Sequence, residues 1–360
     1  MQYPPKRSTN YYVKQQGILF PREGLRFYDP RLAPFAIYGL QGYENGQPFR
    51  RMPWQVALEV SRDVYSRHSQ TSGGRVRFAT DSDRVALDVE FPVLEDRPML
   101  TLHANSGFDL YIEEDGKEVF YRGFEPAIDA VDGYSCQVTL PDKRMRNITL
   151  YFPLYQDVSN LSIGLQRDAV VASAPGYTGD RPLLFYGSSV TQGASACRPG
   201  MTFPALIARR LGMDFINLGF ASACLAEDNM LSYLATVKSS VYILDYDHNS
   251  PNAQYLRNTH YKAYKTYRDA NPDTPIVLTT RPACDPDEPE VIMRRAVVME
   301  TYTKALAEGD SRVYFVDGSS FFDIDDRADC TIDRTHPNDL GHYRMAKIIG
   351  GVVVRALKNG

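Results

Sequence analysis

The sequence predicts two domains in series: an antiparallel β-sandwich, then an α/β domain built on a parallel sheet. Three observations carry this. Over the first half, apolar and polar residues alternate in short runs broken by turn signals. Past Pro175-Gly176-Tyr177-Thr178-Gly179-Asp180 the rhythm changes to short apolar runs alternating with helix-period segments. The chain has 360 residues, 43% hydrophobic and 23% charged, enough to fill two ordinary cores. The boundary is placed between residues 178 and 179, giving domains 1–178 and 179–360.

In the first half, period-two alternation marks Arg75–Phe78, Val85–Phe91, Met99–His103, Phe108–Ile112, Cys136–Leu140 and Ile148–Phe152 as strands. Ser72-Gly73-Gly74, Glu114-Asp115-Gly116 and Pro141-Asp142 are the turns between them. Short strands joined by polar turns fit a sandwich. In the second half the expected strands are Leu183–Tyr186, Asp214–Leu218, Val241–Asp245, Ile276–Thr279 and Val313–Val316. One intervening helix carries Phe203, Leu206 and Ile207, with Thr202 as its N-cap and Gly212 at its close. The last carries Met345, Ile348, Ile349, Val352 and Ala356 at the spacing of one buried face. Apolar strands alternating with helices build a parallel sheet covered on both faces, with ligands at the carboxyl ends of its strands.

Composition excludes several classes. The formal net charge is -4 with both signs interspersed, which argues against a dedicated nucleic-acid surface. No apolar run reaches membrane-spanning length, and no membrane partner is expected. The start, Met1 to Tyr12, lacks the apolar core of a secretory signal; a cytoplasmic location is expected, although a trimmed secreted form would read the same. Five cysteines (Cys136, Cys197, Cys224, Cys284, Cys330) without metal-type spacing are expected to be reduced thiols, those at 197 and 224 buried and inert. With six histidines a His-rich metal centre is not expected; the reading as a whole implies no metal or organic cofactor. Abundant tyrosine fits sandwich strands as readily as sugar stacking.

The chemically suggestive residues each follow an expected strand. The first strand runs into Gly187-Ser188-Ser189-Val190-Thr191-Gln192-Gly193, the second into Gly219-Phe220-Ala221-Ser222, the third into Asp247-His248-Asn249. Asp333-Arg334-Thr335-His336-Pro337 follows the fifth. A serine hydroxyl needs a base to take its proton during attack. A histidine, ordinarily titrating near 6.5, can take it at neutral pH, and an aspartate can hold the ring's tautomer. An acyl-transfer intermediate also needs donors for its oxyanion.

This set resembles the four sequence blocks of the SGNH (GDSL) hydrolases over roughly residues 182 to 357. Ser188 stands where the first block usually has Asp. The resemblance implies a flavodoxin-like α/β/α domain with a five-stranded parallel sheet. It also implies that the β-rich half, including Ser106-Gly107-Phe108-Asp109-Leu110-Tyr111, is the jelly-roll-like module some bacterial members carry. It makes Ser189 the nucleophile, His336 the base and Asp333 the residue that orients it, with Ser189 N–H, Ser222 N–H and the Asn249 amide as oxyanion donors. Ser222 occupies a position where the family has glycine; if that position needs φ above zero, the serine is strained or the loop is rearranged. Ser188, His248 and Arg281 are candidate pocket residues; His342, on a helix, reads as structural.

The function expected is a serine esterase that removes short acyl groups, acetyl among them, from carbohydrate or a similar polyol through an acyl-enzyme. A small-molecule or oligosaccharide ester is the expected partner, and homo-oligomerisation is left open. Two other classes use the same fold: an acyltransferase whose acyl-enzyme meets an alcohol in place of water, and a non-catalytic glycan-binding protein. Acceptor product analysis separates the first, and labelling by a fluorophosphonate the second.

Overall fold

A computed structural model of the chain describes residues 22–95 and 97–359. These residues fall into two compact units. The first comprises the chain up to Arg51, Ser69–Gly176 and the short segment Arg198–Gly200; the second comprises Met52–His68, Tyr177–Cys197 and Met201 onward. The chain passes from the first unit to the second at Gly176/Tyr177. The grouping of Met52–His68 with the second unit departs from the expected 1–178 span.

The first unit is a sandwich of two antiparallel sheets. One has the order β1 (Leu25–Tyr28), β9 (Asn160–Gln166), β4 (Arg84–Glu90), β7 (Gly133–Thr139). The other has the order β10 (Val171–Ala172), β3 (Arg75–Thr80), β8 (Arg146–Tyr151), β5 (Phe108–Glu114), β6 (Lys117–Phe124), with β2 (Ala36–Tyr38) also pairing β3. Every second residue faces inward: Val85, Leu87 and Val89 of β4 meet Val76, Phe78, Leu110, Ile112, Ile148 and Leu150 in one buried cluster. Asp115 and Gly116, with φ of 50° and 73°, form the two-residue turn joining β5 to β6, where both positions of a type I′ turn require positive φ.

Met99–His103, expected as a strand, is not one. Thr101 Oγ1 accepts from Ala104 N–H at 3.0 Å and starts the helix Leu102–Ser106, so a cap overrides the alternation. The aspartate of the Gly107–Tyr111 run is fully buried, and its Oδ2 accepts from Arg198 and from Gly200 N–H, both at 2.8 Å. That carboxylate is what holds Arg198–Gly200 in the first unit.

The second unit carries the parallel sheet in the order β12 (Met213–Gly219), β11 (Thr178–Gly187), β13 (Val241–Asp245), β14 (Ile276–Thr279), β15 (Val313–Val316). Its helices are α1 (Trp54–Val60), α2 (Arg62–Tyr65), α4 (Ser189–Gln192), α5 (Phe203–Leu211), α6 (Asp228–Thr236), α7 (Ala253–Ala270), α8 (Pro289–Ala307) and α9 (Asp339–Asn359), the first unit's helix Leu102–Ser106 being α3. One face of the sheet, through Leu184, Tyr186, Leu218, Leu244 and Leu278, packs on α6, α7 and α8 and also on Ala57 and Val64 of α1 and α2. The other face meets α5 and α9, with Phe185 against Phe203 at 5.8 Å between ring centres. The architecture is thus the α/β/α domain and β-sandwich expected. Thr202 and Gly212 cap α5 as read from sequence, Gly212 with φ 63°. Among the described residues no helix is long and apolar enough to cross a membrane.

His260 lies fully buried on α7, its Nδ1 2.8 Å from Thr301 Oγ1, and burial pushes its pKa down to about 3. Its folded value is depressed, so its stabilising contribution is complete above the ordinary 6.5 and is lost as pH falls below it. Relative to His260→Gln, the wild-type protein is therefore expected to lose stability by about 1.4 kcal/mol per pH unit below roughly pH 6. Denaturant titrations of both proteins at pH 7, 6 and 5 measure this; a constant difference would mean that His260 protonates freely in the fold.

Candidate active site

The sheet delivers its loops to one edge. Gly187 ends β11, and α4 begins at once with Ser189 as its first residue. Ser188 is fully buried and caps that helix, its Oγ accepting from Val190 N–H at 3.2 Å; the structure uses it as a cap, not as the pocket residue expected. The helix sits in a slot kept open by glycine. A Cβ on Gly187 would lie 2.1 Å from Thr191 Oγ1, and one on Gly219 would lie 2.2 Å from Gln192 N. Thr191 donates to Asp245 Oδ2 at 2.7 Å, Asn217 Nδ2 donates to Thr191 O at 2.8 Å, and Ala221 N–H donates to Gln192 Oε1 at 2.9 Å. Strands β12 and β13 therefore grip α4 from both sides.

Ser189 Oγ lies 2.9 Å from His336 Nε2, and His336 Nδ1 lies 2.8 Å from Asp333 Oδ2. With Nδ1–H donating to the carboxylate, Nε2 is the bare nitrogen that accepts the serine hydroxyl. Asp333 Oδ1 also accepts the backbone N–H groups of His336 at 2.7 Å and Thr335 at 3.0 Å. Burial acts to raise the Asp333 carboxyl, but these N–H groups and the ring together hold it below its ordinary value. The loop is closed on itself: Ile332 N–H donates to His336 O at 3.1 Å, and Thr331 bridges Pro337. Arg334, with φ 66°, forms an ion pair with Asp285 that ties this loop to the one after β14.

Beyond β13 the short helical turn Asp247–Asn249 brings His248 against His336, the rings nearly parallel with centres 6.2 Å apart. Burial first, then the charge of Arg281, pushes His248 down to about 3, so it stays neutral. Asp247 accepts from Arg281 N–H at 3.1 Å, and its carbonyl accepts from the buried Arg294. Burial pushes the Asp247 carboxyl up to about 6. Arg294, mid-helix on α8, gave no sequence signal for this role; Asp247 lay inside the run already noted. His342 is fully buried, 3.0 Å from Ala194 O, and is structural as read. All five cysteines are unpaired; Cys224 is fully buried, and burial pushes its thiol well up.

Ser222 has φ 58°. Ala223 N–H donates to Phe220 O at 3.0 Å, which closes a turn with Ser222 at the position where a type II turn needs positive φ. The serine has thus kept the glycine conformation. Among the described residues its own N–H has no protein acceptor.

Residues 180–354 match the GDSL-like lipase/acylhydrolase family, and residues 25–171 match the N-terminal domain of SGNH-hydrolase-type esterases. The chain belongs to the SGNH/GDSL hydrolases. A protein of Bacteroides ovatus ATCC 8483 described as a GDSL-like lipase is similar in structure, at 28% identity and TM-score 0.82, over 93% of this chain and 98% of that one. A salicylyl-acyltransferase from a tetracycline biosynthetic pathway aligns at 22% identity and TM-score 0.75, over 93% and 99%. A family two carbohydrate esterase from Clostridium thermocellum aligns at 14% and 0.61, over 90% and 99%. No curated protein matches the chain. Membership of this hydrolase family accords with the esterase class expected from the sequence.

The Ser222 backbone carries a measurable cost, because left-handed φ is unfavourable for residues with a Cβ. Ser222→Gly is expected to hold or raise the melting temperature. Ser222→Val, β-branched at the same φ, is expected to lose about 1–2 kcal/mol in thermal or denaturant unfolding. Equal stability of all three proteins would show that the turn rearranges freely.

Proposed function

We propose that this protein is a serine esterase that removes short acyl groups from a polar alcohol such as a carbohydrate or polyol. The observation that carries the reading is the continuous chain from Ser189 Oγ through His336 to Asp333, at 2.9 and 2.8 Å. In the reaction Ser189 Oγ attacks the ester carbon while its proton passes to His336 Nε2. Asp333, held below its usual carboxylate value, stabilises the imidazolium that forms. The carbonyl oxygen becomes an oxyanion that the Ser189 and Ser222 N–H groups and the Asn249 amide receive. Collapse expels the alcohol, which takes the proton back from His336. Water then attacks the acyl-serine by the same route, and the acid leaves.

The preference for a short, polar substrate is supported by the loops themselves. Of their described residues over 188–197, 220–226, 246–252, 280–288 and 331–337, Ile332 is the single large apolar side chain that is exposed. A long acyl chain needs a broad apolar surface, which these loops do not offer. Similarity to the Bacteroides ovatus protein agrees with the ester-cleaving class.

A fluorophosphonate probe is expected to label the wild type and not Ser189→Ala. Turnover of para-nitrophenyl acetate by Ser189→Ala is expected to fall below about a hundredth of wild type. Asn249→Ala is expected to lose about 100-fold in kcat, while Ser222→Gly, which keeps its N–H, stays within about tenfold. Undiminished labelling of Ser189→Ala, or faster cleavage of octanoyl than acetyl esters, would overturn the assignment or the substrate class respectively.

A further inference from the structure

Beside Ser189 and His336 lies a group of buried polar atoms that the proposed reaction does not use. Asp247 Oδ1, His248 Nδ1, Asn249 Oδ1, Ser250 Oγ and Arg281 Nε are all buried without a hydrogen-bond partner. Four belong to consecutive residues after β13, and the fifth opens the loop after the neighbouring strand β14. An unsatisfied buried polar atom is costly, and within this group the Arg281 Nε–H is the fixed donor that a negatively charged group can complete, whereas the Asp247 and Asn249 oxygens are acceptors.

Arg281 gives the cluster its character. Its backbone is fixed from two directions. Its N–H donates to Asp247 Oδ2 at 3.1 Å, and Gly318 passes so close that a Cβ there would lie 2.0 Å from Arg281 O. Gly318 N–H in turn donates to Thr280 Oγ1 at 2.7 Å. The side chain is only partly exposed, its Nε is buried without a hydrogen-bond partner among the described residues, and its charge acts on the nearby Asp247 carboxyl without an ion pair to it. Its neighbour Arg294 differs in this respect, being paired with Glu290 at 2.8 Å. The Arg281 charge is felt by His248, whose ring lies against His336, so the guanidinium is within electrostatic reach of the reacting centre.

The geometry points to Arg281 as a specificity-determining residue that receives a negatively charged substituent, a carboxylate, on the ester substrate. This rests on the esterase reading and narrows its substrate to anionic esters. A guanidinium offers five N–H donors in a planar fork that suits a carboxylate, and such charge-assisted bonds are the strong ones. The charge can sit on the acid or on the alcohol side of the ester.

Three substrates separate these arms: para-nitrophenyl acetate as the neutral reference, para-nitrophenyl hemisuccinate with the charge on the acyl group, and the acetate ester of a carboxylated nitrophenol with it on the alcohol. Arg281→Gln is expected to lower the anionic-to-neutral ratio of kcat/KM by about 10- to 100-fold in one arm, which identifies the side. Arg281→Lys should lose less, since it keeps the charge without the fork. The Asp247 contact is made by the backbone N–H and survives in both variants. Should the Gln variant not fold, protection of the wild type decides: succinate should slow fluorophosphonate labelling more than succinamide does. Ratios that move less than about threefold in both arms, or equal protection by the two compounds, overturn the inference and leave the esterase intact. A wild type that takes no label and cleaves none of the three esters overturns both.

Discussion

The slot that holds α4 is the constraint on which the site depends. A four-residue helix cannot hold itself, because forming one turn fixes three residues for a single hydrogen bond. Its position comes from its surroundings: no Cβ at 187 or 219, Thr191 bonded to Asp245, and Asn217 bonded to the Thr191 carbonyl. Asp245 is fully buried, and burial pushes its carboxyl well above the ordinary value. A buried carboxyl has few ways to be satisfied, so its contact with Thr191 is strongly directional. The apolar interior of the sheet and the polar ends of its strands thus cooperate. The strands set the spacing, and the side chains at their tips set the angle at which Ser189 leaves the sheet.

The loop bearing Asp333 and His336 is built differently. It has no sheet to lean on, and its shape is set by backbone bonds that close on themselves and on Asp333. One carboxylate accepts two backbone N–H groups and the imidazole at once, so the residue that orients the ring also shapes the loop that carries it. The exposed Arg334–Asp285 pair adds little energy in water. It nevertheless joins this loop to the one that begins at Arg281, so the loops after β14 and β15 are linked by more than their adjacency.

Much of this was legible in the sequence, for a physical reason. Val241–Asp245 and Ile276–Thr279 are buried on both faces and Val313–Val316 at the sheet edge is partly so; all three read as short apolar runs, and the structure reproduces those bounds. Ser189, Ser222 and Asn249 lie within a few residues of such runs, so placing the strands nearly places them, whereas Asp333 and His336 come well after Val316. Some failures come from contacts distant in sequence, and others from local features that the alternation does not reveal. Trp54–Val60 carries a weak pattern of its own and is helical because Ala57 packs in a core whose strands begin more than a hundred residues later. Lys117–Phe124 is largely exposed, is paired with β5, and lacks a clean apolar face. Arg294 meets the Asp247 carbonyl from another helix, and nothing local in the sequence announces it.

Ser222 shows why a departure from a family's residue pattern can leave its chemistry intact. What the proposed oxyanion site requires at this position is a backbone N–H, and every residue but proline has one. Replacing glycine by serine therefore removes no donor; it adds a Cβ to a left-handed backbone. The surrounding turn is closed by Ala223 N–H on Phe220 O, and Ala221 is held by Gln192 of α4. Those bonds fix φ at 58° against the serine's own preference. The strain thus sits in a turn hydrogen-bonded to the helix that carries Ser189, and a structure that over-determines a backbone angle is what allows an unfavourable residue to persist there.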